Sequence, residues 1–562
     1  MVDFKYVKFL TILFILIISI SFAAATDSGG ESTIVTQDND SPDVYGDSSK
    51  EVYVDPSQSS GGNGSKESPY NSIQSALDNL DAQTSNTIIL KDGIYKGEAN
   101  TKVSLIGNLV VKADEGANPT IDGDGQGTNF WTLTDSNILL HGITFKNFNR
   151  VYYNNQAILS ASNIENLTVS GCIFENNTYT RAMYLDHLNN TVIDGCTLQD
   201  YDAQYLDGGG IYSKYVNNLT FSNNIAQNLK DSNYRYGAVL YSNYNANVTI
   251  VGNRFTNITG GSGSGVYSSY DKKIKFVNNY FDDVGGNGYS VSGHVLYINY
   301  PSDGFDFINN TVKNCRSSYS GSVYVYGWNV DSGEVNLKDN HFENNTQGFY
   351  LSCSIIDNVT VVNNTFNNGG GVSISSSHAG NAIVANNTFT NNSGQLSLSL
   401  SNCGDAVVTN NSFSDKSGSL SVSLGYGGTI SAFGNNFTNN KGGLSLSVYN
   451  GGNLTAFDNN FDGCSDYNAL SSYLSNSGNM TIFDNKFTNN LNGGLYVSMS
   501  NSGDMVVSNN DFVNNSISGY GGGAQFSLTQ NNGQGFIKNN NFDNSIAKSY
   551  GGAIYVSATL KK

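Results

Sequence analysis

One phrase recurs along the chain at a nearly constant interval: an apolar alternation, then Asn-Asn, a spacer residue and usually Phe. The last nine copies are spaced 24, 23, 24, 24, 24, 26, 25 and 30 residues apart and carry Phe342, Phe366, Phe389, Phe413, Phe437, Phe461, Phe487, Phe512 and Phe542. A repeat of this length specifies a solenoid, in which each unit buries its apolar residues against its neighbours. The 562 residues are therefore predicted to form stacked coils behind a small cap, rather than several globular domains.

Each repeat has the pattern of β-structure. Residues 396–400 and 444–448 alternate apolar residues with Ser, which is the period of a half-buried strand. Asn-Asn and Gly-Gly pairs separate such runs, and both residue types tolerate the left-handed backbone of a sharp bend. At about 3.3 Å per residue, about 24 residues make three short strands and three corners. The predicted fold class is all-β, a parallel β-helix with about 24 residues per coil and a short N-terminal capping helix.

Stacking the coils places like residues on like residues. Each Phe then lies on the Phe of the next coil, and each Asn lies on an Asn whose amide can donate and accept along the axis. Asn is roughly one residue in seven, which this ladder explains. The phrase is therefore predicted to be structural and to carry no chemistry.

Charge excludes one class of partner. The chain has 28 Lys and Arg against 46 Asp and Glu, a net charge of −18. A phosphate backbone would be repelled, so nucleic acid is not a predicted partner.

The coils resemble a known family. The Asn-Asn-x-Phe copies are similar to those of right-handed parallel β-helix proteins of the pectate-lyase-like superfamily, most of all secreted adhesin-like proteins of methanogenic archaea. The Phe174 to Asn177 and Phe389 to Asn392 spacings, and the Gly551-Gly-Ala-Ile554 ending, also resemble polymorphic outer-membrane autotransporter repeats. The resemblance covers nearly everything from residue 51. It implies a secreted or cell-surface adhesin that binds a polysaccharide or a cell-surface glycan without catalysis.

The N-terminus has the pattern of a secretory signal. Two Lys precede an apolar run from Phe9 to Phe22, and small residues follow it. This predicts a signal peptide over residues 1–25 and secretion or cell-surface localisation. A membrane would be involved only through an uncleaved signal peptide, because the run is shorter than the about 20 residues that span a bilayer. Residues 26–50 are predicted to be a disordered acidic leader.

The remaining chain divides into a cap and the repeats. Residues 51–144 are predicted to hold the N-terminal cap and first coils, with apolar residues at helical spacing after a Ser72 N-cap. Residues 145–562 are the β-helix repeats, and no C-terminal cap is visible. Either the chain is truncated there, or Lys561, Lys562 and self-association protect the edge. The oligomeric state is left open.

Aromatic residues mark the candidate binding region. Residues 151–350 contain 22 of the 35 Tyr, and their coils are longer, so their corners carry insertions. Tyr205, Tyr236 and Trp328 are the predicted glycan-binding residues, because an aromatic ring with a polar tip suits a sugar. The alternative is that many of these Tyr only pack sideways on the exterior of the coils.

A polysaccharide lyase or glycoside hydrolase is the alternative function. Hydrolases need two carboxylates about 5–9.5 Å apart, and lyases of the resembling fold use acidic residues with calcium and an Arg or Lys base. The candidates are Asp186, Asp207 and Arg235, together with Asp282 and Asp283, which resemble the paired Asp of polygalacturonases. The companion motifs Asn-Thr-Asp, Gly-His-Gly and Arg-Ile-Lys are absent. Solvated corner acids are the simpler interpretation.

Metal and disulfide signals are weak. Asp122 and Asp124 form half of a calcium loop without its distal Glu, so calcium is the one cofactor left open. Cys172 and Cys196 each precede the apolar position by two, so we expect them to stack in adjacent coils. Whether they form a disulfide is left open. The other four cysteines have no partner in an adjacent coil and are predicted to be buried thiols: Cys315, Cys353, Cys403 and Cys464.

Overall fold

The computed structural model describes residues 50–125, 130–149, 157–204, 206–230, 235–286, 295–317, 321–530 and 533–559. The predicted signal peptide, residues 26–49 of the predicted leader, Tyr205, Lys561 and Lys562 lie outside the described residues.

Three parallel sheets run the length of the repeats, and every coil after the first described strand contributes one strand to each sheet. Sheet 1 consists of Lys50–Val54, Asn86–Leu90, Leu109–Ala113, Asn137–His141, Asn166–Ser170, Asn190–Asp194, Asn218–Ser222, Asn247–Val251, Lys273–Val277, Gly304–Ile308, Val335–Lys338, Val359–Val362, Ala382–Ala385, Ala406–Thr409, Ile430–Phe433, Leu454–Phe457, Met480–Phe483, Met505–Ser508 and Gly535–Lys538. Sheet 2 consists of Gly93–Tyr95, Pro119–Asp122, Thr144–Lys146, Ile173–Glu175, Thr197–Asp202, Ile225–Lys230, Arg254–Thr259, Tyr280–Val284, Thr311–Lys313, His341–Glu343, Thr365–Asn367, Thr388–Thr390, Ser412–Ser414, Asn436–Thr438, Asn460–Asp462, Lys486–Thr488, Asp511–Val513 and Asn541–Asp543.

Sheet 3 follows sheet 2 in every coil. It consists of Ser104–Ile106, Trp131–Thr134, Ala157–Ser162, Arg181–Asp186, Ile211–Lys214, Leu240–Asn243, Val266–Ser269, Leu296–Asn299, Val323–Asp331, Phe349–Ile356, Val372–Ala379, Leu396–Ser401, Leu420–Gly425, Leu444–Tyr449, Leu470–Ser475, Leu495–Ser500, Ala524–Thr529 and Ile554–Thr559. Ser516–Ile517 and Ile546–Ala547 form a further short pair. Each strand pairs in parallel with the equivalent strand of the next coil, as in Phe366 with Phe389. The predicted parallel β-helix is confirmed, with coils that average about 26 residues because the earlier ones carry longer corners.

The two residues of the Asn-Asn corner between sheets 1 and 2 have different roles. The first has a left-handed backbone, as in Asn386 with φ 56°, and Gly434 takes the same conformation with φ 66°. The second is buried: Asn364 donates from its backbone N and from Nδ2 to Oδ1 of Asn387 in the next coil, at 3.0 and 2.9 Å. Nδ2 of Asn364 also donates to the carbonyl of Leu337 at 2.8 Å. The amide ladder predicted from the sequence is therefore present.

The interior beside this ladder is an aromatic stack. Rings of Phe366 and Phe389 lie 4.6 Å apart and nearly parallel, and the next step, to Phe413, is 4.5 Å. The stack continues to Phe542 without a break. These side chains are almost completely buried except at the last coil, so burial and ring stacking both stabilise the coils.

The first described strand, Lys50–Val54, has its outer edge covered. The backbone N of Tyr53 donates to the carbonyl of Gly64, and Tyr70 exchanges hydrogen bonds with Tyr53 and Asp55. A short helix, Ile73–Leu77, follows, and Oγ of its N-cap Ser72 accepts from the backbone N of Ser75. A second short helix, Glu98–Thr101, lies two strands later. In the described part of the chain no helix is long and apolar enough to cross a membrane.

Candidate functional site: a tyrosine face on sheet 3

Seven tyrosines form a continuous row on the outer surface of sheet 3, here called the inner row. Neighbouring rings have centroids 4.8–5.3 Å apart and planes within 24° of parallel. The row consists of Tyr184, Tyr212, Tyr241, Tyr267, Tyr297, Tyr324 and Tyr350. Six steps at a strand spacing of about 4.8 Å give it a length of roughly 29 Å.

A second aromatic row, the outer row, follows the corner after sheet 3. It consists of His187, Tyr215, Tyr244, Tyr270, Tyr300 and Tyr326. The central rings stack at 4.8–5.5 Å, His187 is tilted against its neighbour, and Tyr326 meets the row edge-on. Tyr215, Tyr244 and Tyr270 are 45–48% exposed, so this row is the more accessible of the two.

The outer row sits in a backbone conformation that suits asparagine better than tyrosine. Tyr215, Tyr244, Tyr270 and Tyr300 have φ between 54° and 58°. In later coils the same corner position is filled by Asn402, Asn450, Asn476 and Asn501, with φ between 44° and 50°. A left-handed backbone at a bulky residue costs about 1–2 kcal/mol. The chain therefore accepts strain to place aromatic rings at this corner.

A buried polar layer lies directly beneath the outer row. Oδ1 of Asn245 accepts from the backbone N of Val216, and Oδ1 of Asp271 accepts from the backbone N of Asn245, both at 2.7 Å. These two N–H groups follow the strained tyrosines at 215 and 244. Oγ of Ser268 donates to Oδ2 of Asp271 at 2.6 Å, and Nδ2 of Asn245 donates to Oγ of Ser242. The layer thus holds the corner in the conformation that presents the rings.

A groove of about 950 Å³ runs beside the outer row, at the corner between sheets 3 and 1. Tyr215, Tyr244 and Tyr270 form one wall. Polar side chains also line the groove: Nδ2 of Asn217 donates to Oδ1 of Asn189 at 2.8 Å, and Asn189 donates in turn to Glu165. An elongated polar ligand could lie here along the axis of the coils.

The rows present ring edges and hydroxyl groups more than ring faces. Because each ring is stacked on those of the coils above and below, its two faces are largely covered. Burial raises the pKa of both Tyr297 and Tyr324 to about 12, so these phenols remain protonated hydroxyls that donate and accept hydrogen bonds. The surface is therefore a double line of hydroxyls over an apolar base.

Charged groups gather at the first coil of both rows. Asp186 contacts Nδ1 of His187 at 2.6 Å and Nζ of Lys214 at 3.0 Å. The buried Arg181 guanidinium lies 5.0 Å from the ring centroid of Tyr212 and donates from Nε to the carbonyl of Asp207 at 2.7 Å. These contacts pair opposite charges across the first two coils and support the first rings of each row.

The predicted catalytic residues do not converge on one point. Asp186 pairs with Lys214, the last residue of its strand, whereas Asp207 precedes that strand by four residues and accepts from the backbone N of Tyr236. Arg235 is exposed and lies next to Tyr236, on the side of Asp207. The structure therefore brings Asp207 near Arg235 and leaves Asp186 at the opposite end of the strand.

Asp282 and Asp283 lie on sheet 2, away from the tyrosine face. Asp282 accepts from the Tyr280 hydroxyl at 2.9 Å and from Nδ2 of Asn314 at 2.8 Å. Asp283 forms an ion pair with Arg316 at 3.0 Å. Both carboxylates therefore have hydrogen-bond or ion-pair partners in their own coil or in the next one.

Asp122 and Asp124 share a cationic neighbour. Nζ of Lys96 is 3.6 Å from Oδ2 of Asp122 and 3.4 Å from Oδ1 of Asp124. Oδ1 of Asp122 also accepts from the backbone N of Asp124 and from Nδ2 of Asn147. Across the described ranges, no group of three or more His, Cys, Asp and Glu side chains is arranged to hold a metal ion.

Two of the predicted glycan-binding residues flank the tyrosine face, and the third, Tyr205, is outside the described residues. Tyr236 stacks on Tyr267 of the inner row at 4.7 Å. Trp328 is 62% exposed and follows Tyr326 in a strand whose register shifts between Gly327 and Asp331. The bulge turns the largest exposed ring outward at the far end of the outer row.

Most of the face was missed by reasoning from the sequence, although a signal was present. Tyr-x-x-Tyr recurs at 212–215, 241–244, 267–270 and 297–300, in step with the Asn-Asn corners. Each copy contributes one tyrosine to each row. The buried pair Asn245 and Asp271 gave no comparable signal, because polar residues at a corner are usually exposed.

Comparisons with known proteins bear on the fold. The family model described as "Right handed beta helix region" matches residues 100–281, 256–396 and 294–461. No curated protein matches the chain.

Solved structures resemble the chain only distantly. A rhamnogalacturonan lyase is 12% identical with a TM-score of 0.29, covering 65% of this chain and 82% of its own. The alginate lyase AlyGC of family PL6 is 9% identical with a TM-score of 0.21, covering 92% and 99%. PfbA, a surface adhesin of Streptococcus pneumoniae, is 12% identical with a TM-score of 0.21, covering 86% and 88%. Scores this low carry no argument about activity.

Proposed function

This chain belongs to the right-handed β-helix family, and we propose that it is a secreted or cell-surface, adhesin-like protein that binds glycan chains along its tyrosine face without catalysis. The proposal includes the signal peptide over residues 1–25 and the resemblance of the coils to adhesin-like proteins of methanogenic archaea.

The observation that carries the proposal is the outer row. Four consecutive coils hold Tyr215, Tyr244, Tyr270 and Tyr300 in a left-handed backbone that Asn fills in later coils. The solenoid itself does not need tyrosine there, because four later coils stack with Asn402, Asn450, Asn476 or Asn501 at this position. Strain that the fold does not require is usually retained for function.

The chemistry of the face suits a sugar polymer. Phenol hydroxyls repeat once per coil in two parallel lines, and the amides of Asn189 and Asn217 also line the groove. Hydroxyl-rich sugars match such alternating donors and acceptors, and the ring edges supply apolar contact. Trp328 supplies an exposed ring on which a sugar can stack. A linear glycan lying along the axis would use successive coils as successive contacts.

A polysaccharide lyase or hydrolase is the second candidate. The contact between Asp186 and His187 favours it, because a carboxylate that orients an imidazole at a groove is a common acid–base arrangement. Incubation of the secreted protein with pectin, alginate and host glycans tests this candidate. If new reducing ends or unsaturated products form, the protein is an enzyme and not a binding protein without catalysis.

The binding proposal is tested by returning the corner to the residue that the later coils use. The variant Tyr215→Asn/Tyr244→Asn/Tyr270→Asn is expected to lose at least about tenfold in affinity for glycans captured on an array by the unchanged protein. Its thermal midpoint should change little, because relief of backbone strain offsets lost ring stacking.

Tyr426→Asn is the matched control, since Tyr426 has φ 55° at the same corner position but lies outside the face. Equal glycan binding by the triple variant, the control and the unchanged protein would contradict the proposal.

A further inference from the structure

Two cysteines in adjacent coils directly precede the buried Asn ladder at the corner between sheets 1 and 2. In thirteen described coils this position is Asn: Asn224, Asn253, Asn279, Asn310, Asn340, Asn364, Asn387, Asn411, Asn435, Asn459, Asn485, Asn510 and Asn540. In the two coils before them it is Cys172 and Cys196, both buried and both free thiols in this structure. A pair of sulfurs thus stands where the fold otherwise uses a pair of amides.

The register places these two side chains side by side. Ser170 pairs with Asp194 before them, and Ile173 pairs with Thr197 after them. Parallel strands lie about 4.8 Å apart, within the range of about 4.4–6.8 Å that Cα atoms of a disulfide span. None of the other four cysteines occupies a position next to another cysteine in the adjacent coil.

The thiols already interact with each other. Burial alone would raise the pKa of both, but the hydrogen bond between them lowers the pKa of Cys172 below its ordinary value and raises that of Cys196. Sγ of Cys196 also donates to the carbonyl of Val169 at 3.4 Å.

We propose that Cys172 and Cys196 are oxidised to a disulfide that closes one coil into a covalent ring. The oxidant is a small-molecule disulfide such as glutathione disulfide. The thiolate of one of the two cysteines attacks one sulfur of this disulfide and releases one thiol, and the thiolate of the other cysteine then displaces the second thiol from the mixed disulfide. Two electrons and two protons pass to the oxidant, which leaves as two thiols. Because both sulfurs are buried, the reaction takes place before the coil closes in folding.

The ring would enclose the first coil of the tyrosine face. Residues 172–196 contain Arg181, Tyr184 and His187, which begin the inner and outer rows. A cross-link over a loop of this length typically stabilises a fold by restricting its unfolded chain. The disulfide would therefore protect the end of the face from local opening without depending on what the face binds.

Thiol counting on the full chain tests the proposal. Protein refolded with glutathione disulfide is denatured with an alkylating agent, and four alkylated cysteines are expected. Digestion without reductant should yield one linked peptide pair containing Cys172 and Cys196. Six alkylated cysteines, or a linkage that involves any other cysteine, would overturn the proposal.

Stability supplies a second measurement. Reductant should lower the thermal midpoint of the oxidised protein but leave that of Cys172→Ser/Cys196→Ser unchanged. Cys315→Ser/Cys464→Ser is the control, because its two positions are buried but far apart, and it should keep the response to reductant. A midpoint insensitive to reductant in the unchanged protein would also overturn the proposal. Glycan binding is not needed for either measurement, so failure here leaves the proposed function standing.

Discussion

Neighbouring asparagines in one corner have opposite requirements. Asn386 is exposed and bends the backbone, whereas Asn387 is buried and connects three coils through its side chain. The same residue type is therefore replaceable at one position and essential at the next. Gly at the bending position and Asn at the buried one is already the arrangement at Gly434 and Asn435.

Asn387→Ala should lower the free energy of unfolding by roughly 3 kcal/mol, because it leaves several buried donors and acceptors of adjacent coils unpaired. Asn386→Gly, the matched control, should change it by less than about 1 kcal/mol, because Gly takes the left-handed conformation freely. Urea denaturation followed by circular dichroism compares the two. Equal losses would contradict the separate roles of the pair.

Asp271 should make stability depend on pH. Burial raises the pKa of this carboxyl to about 6, so the folded state retains a proton that the unfolded state releases near pH 4. The stabilisation by this group is complete below about pH 4 and falls as pH rises to about 6, by about 3 kcal/mol in total.

Asp271→Asn should abolish that dependence, because an amide at 271 can repeat the contacts that Asn245 makes one coil earlier. Thermal midpoints of both proteins between pH 3.5 and about 7 provide the measurement. If the thermal midpoints of the two proteins depend on pH in the same way, the pKa of Asp271 is not raised in the folded state.

The coil is the unit at which the sequence was most informative. Strands, Asn ladder and Phe stack were predictable because each repeats at one interval and stacks on itself. The tyrosine rows follow the same rule, yet the groove beside them depends on which way a corner turns, and spacing alone does not show this. The separation of Asp186 from Asp207 likewise depends on the length of the strand between them and on the path of the loop. Neither can be read from the order of residue types.

Removing whole coils should separate fold from binding. Deletion of residues 388–411 joins Asn387 to Ser412 and keeps the register, because Thr388 and Ser412 occupy equivalent positions. Deletion of residues 225–253 joins Asn224 to Arg254 by the same rule but removes Tyr241 and Tyr244. Both proteins are expected to fold.

Only the second deletion should weaken glycan binding, by about tenfold, since it shortens both rows. Size-exclusion chromatography and circular dichroism check folding, and titration with the glycan found on the array checks affinity. Equal affinity in the two deletion proteins would place the binding site elsewhere.

Sheet 3 presents two different outer surfaces along its length, although the core beneath them is the same. From Tyr184 to Tyr350 the outward positions of sheet 3 carry tyrosine, whereas Ser373, Ser397 and Ser421 continue the same line in the next coils. The interior ladder crosses this boundary without change. A regular core thus allows the exterior to vary coil by coil, with binding in one stretch and plain scaffold in another.

The position of Trp328 gives the protein a built-in optical reporter. The chain has two tryptophans, and Trp131 is fully buried whereas Trp328 projects at the end of the tyrosine rows. Light absorbed by the stacked phenols can pass to the exposed indole, whose emission colour depends on contact with water. A ligand settling on the face would therefore shift fluorescence without any label, while the sheltered indole supplies a constant internal reference.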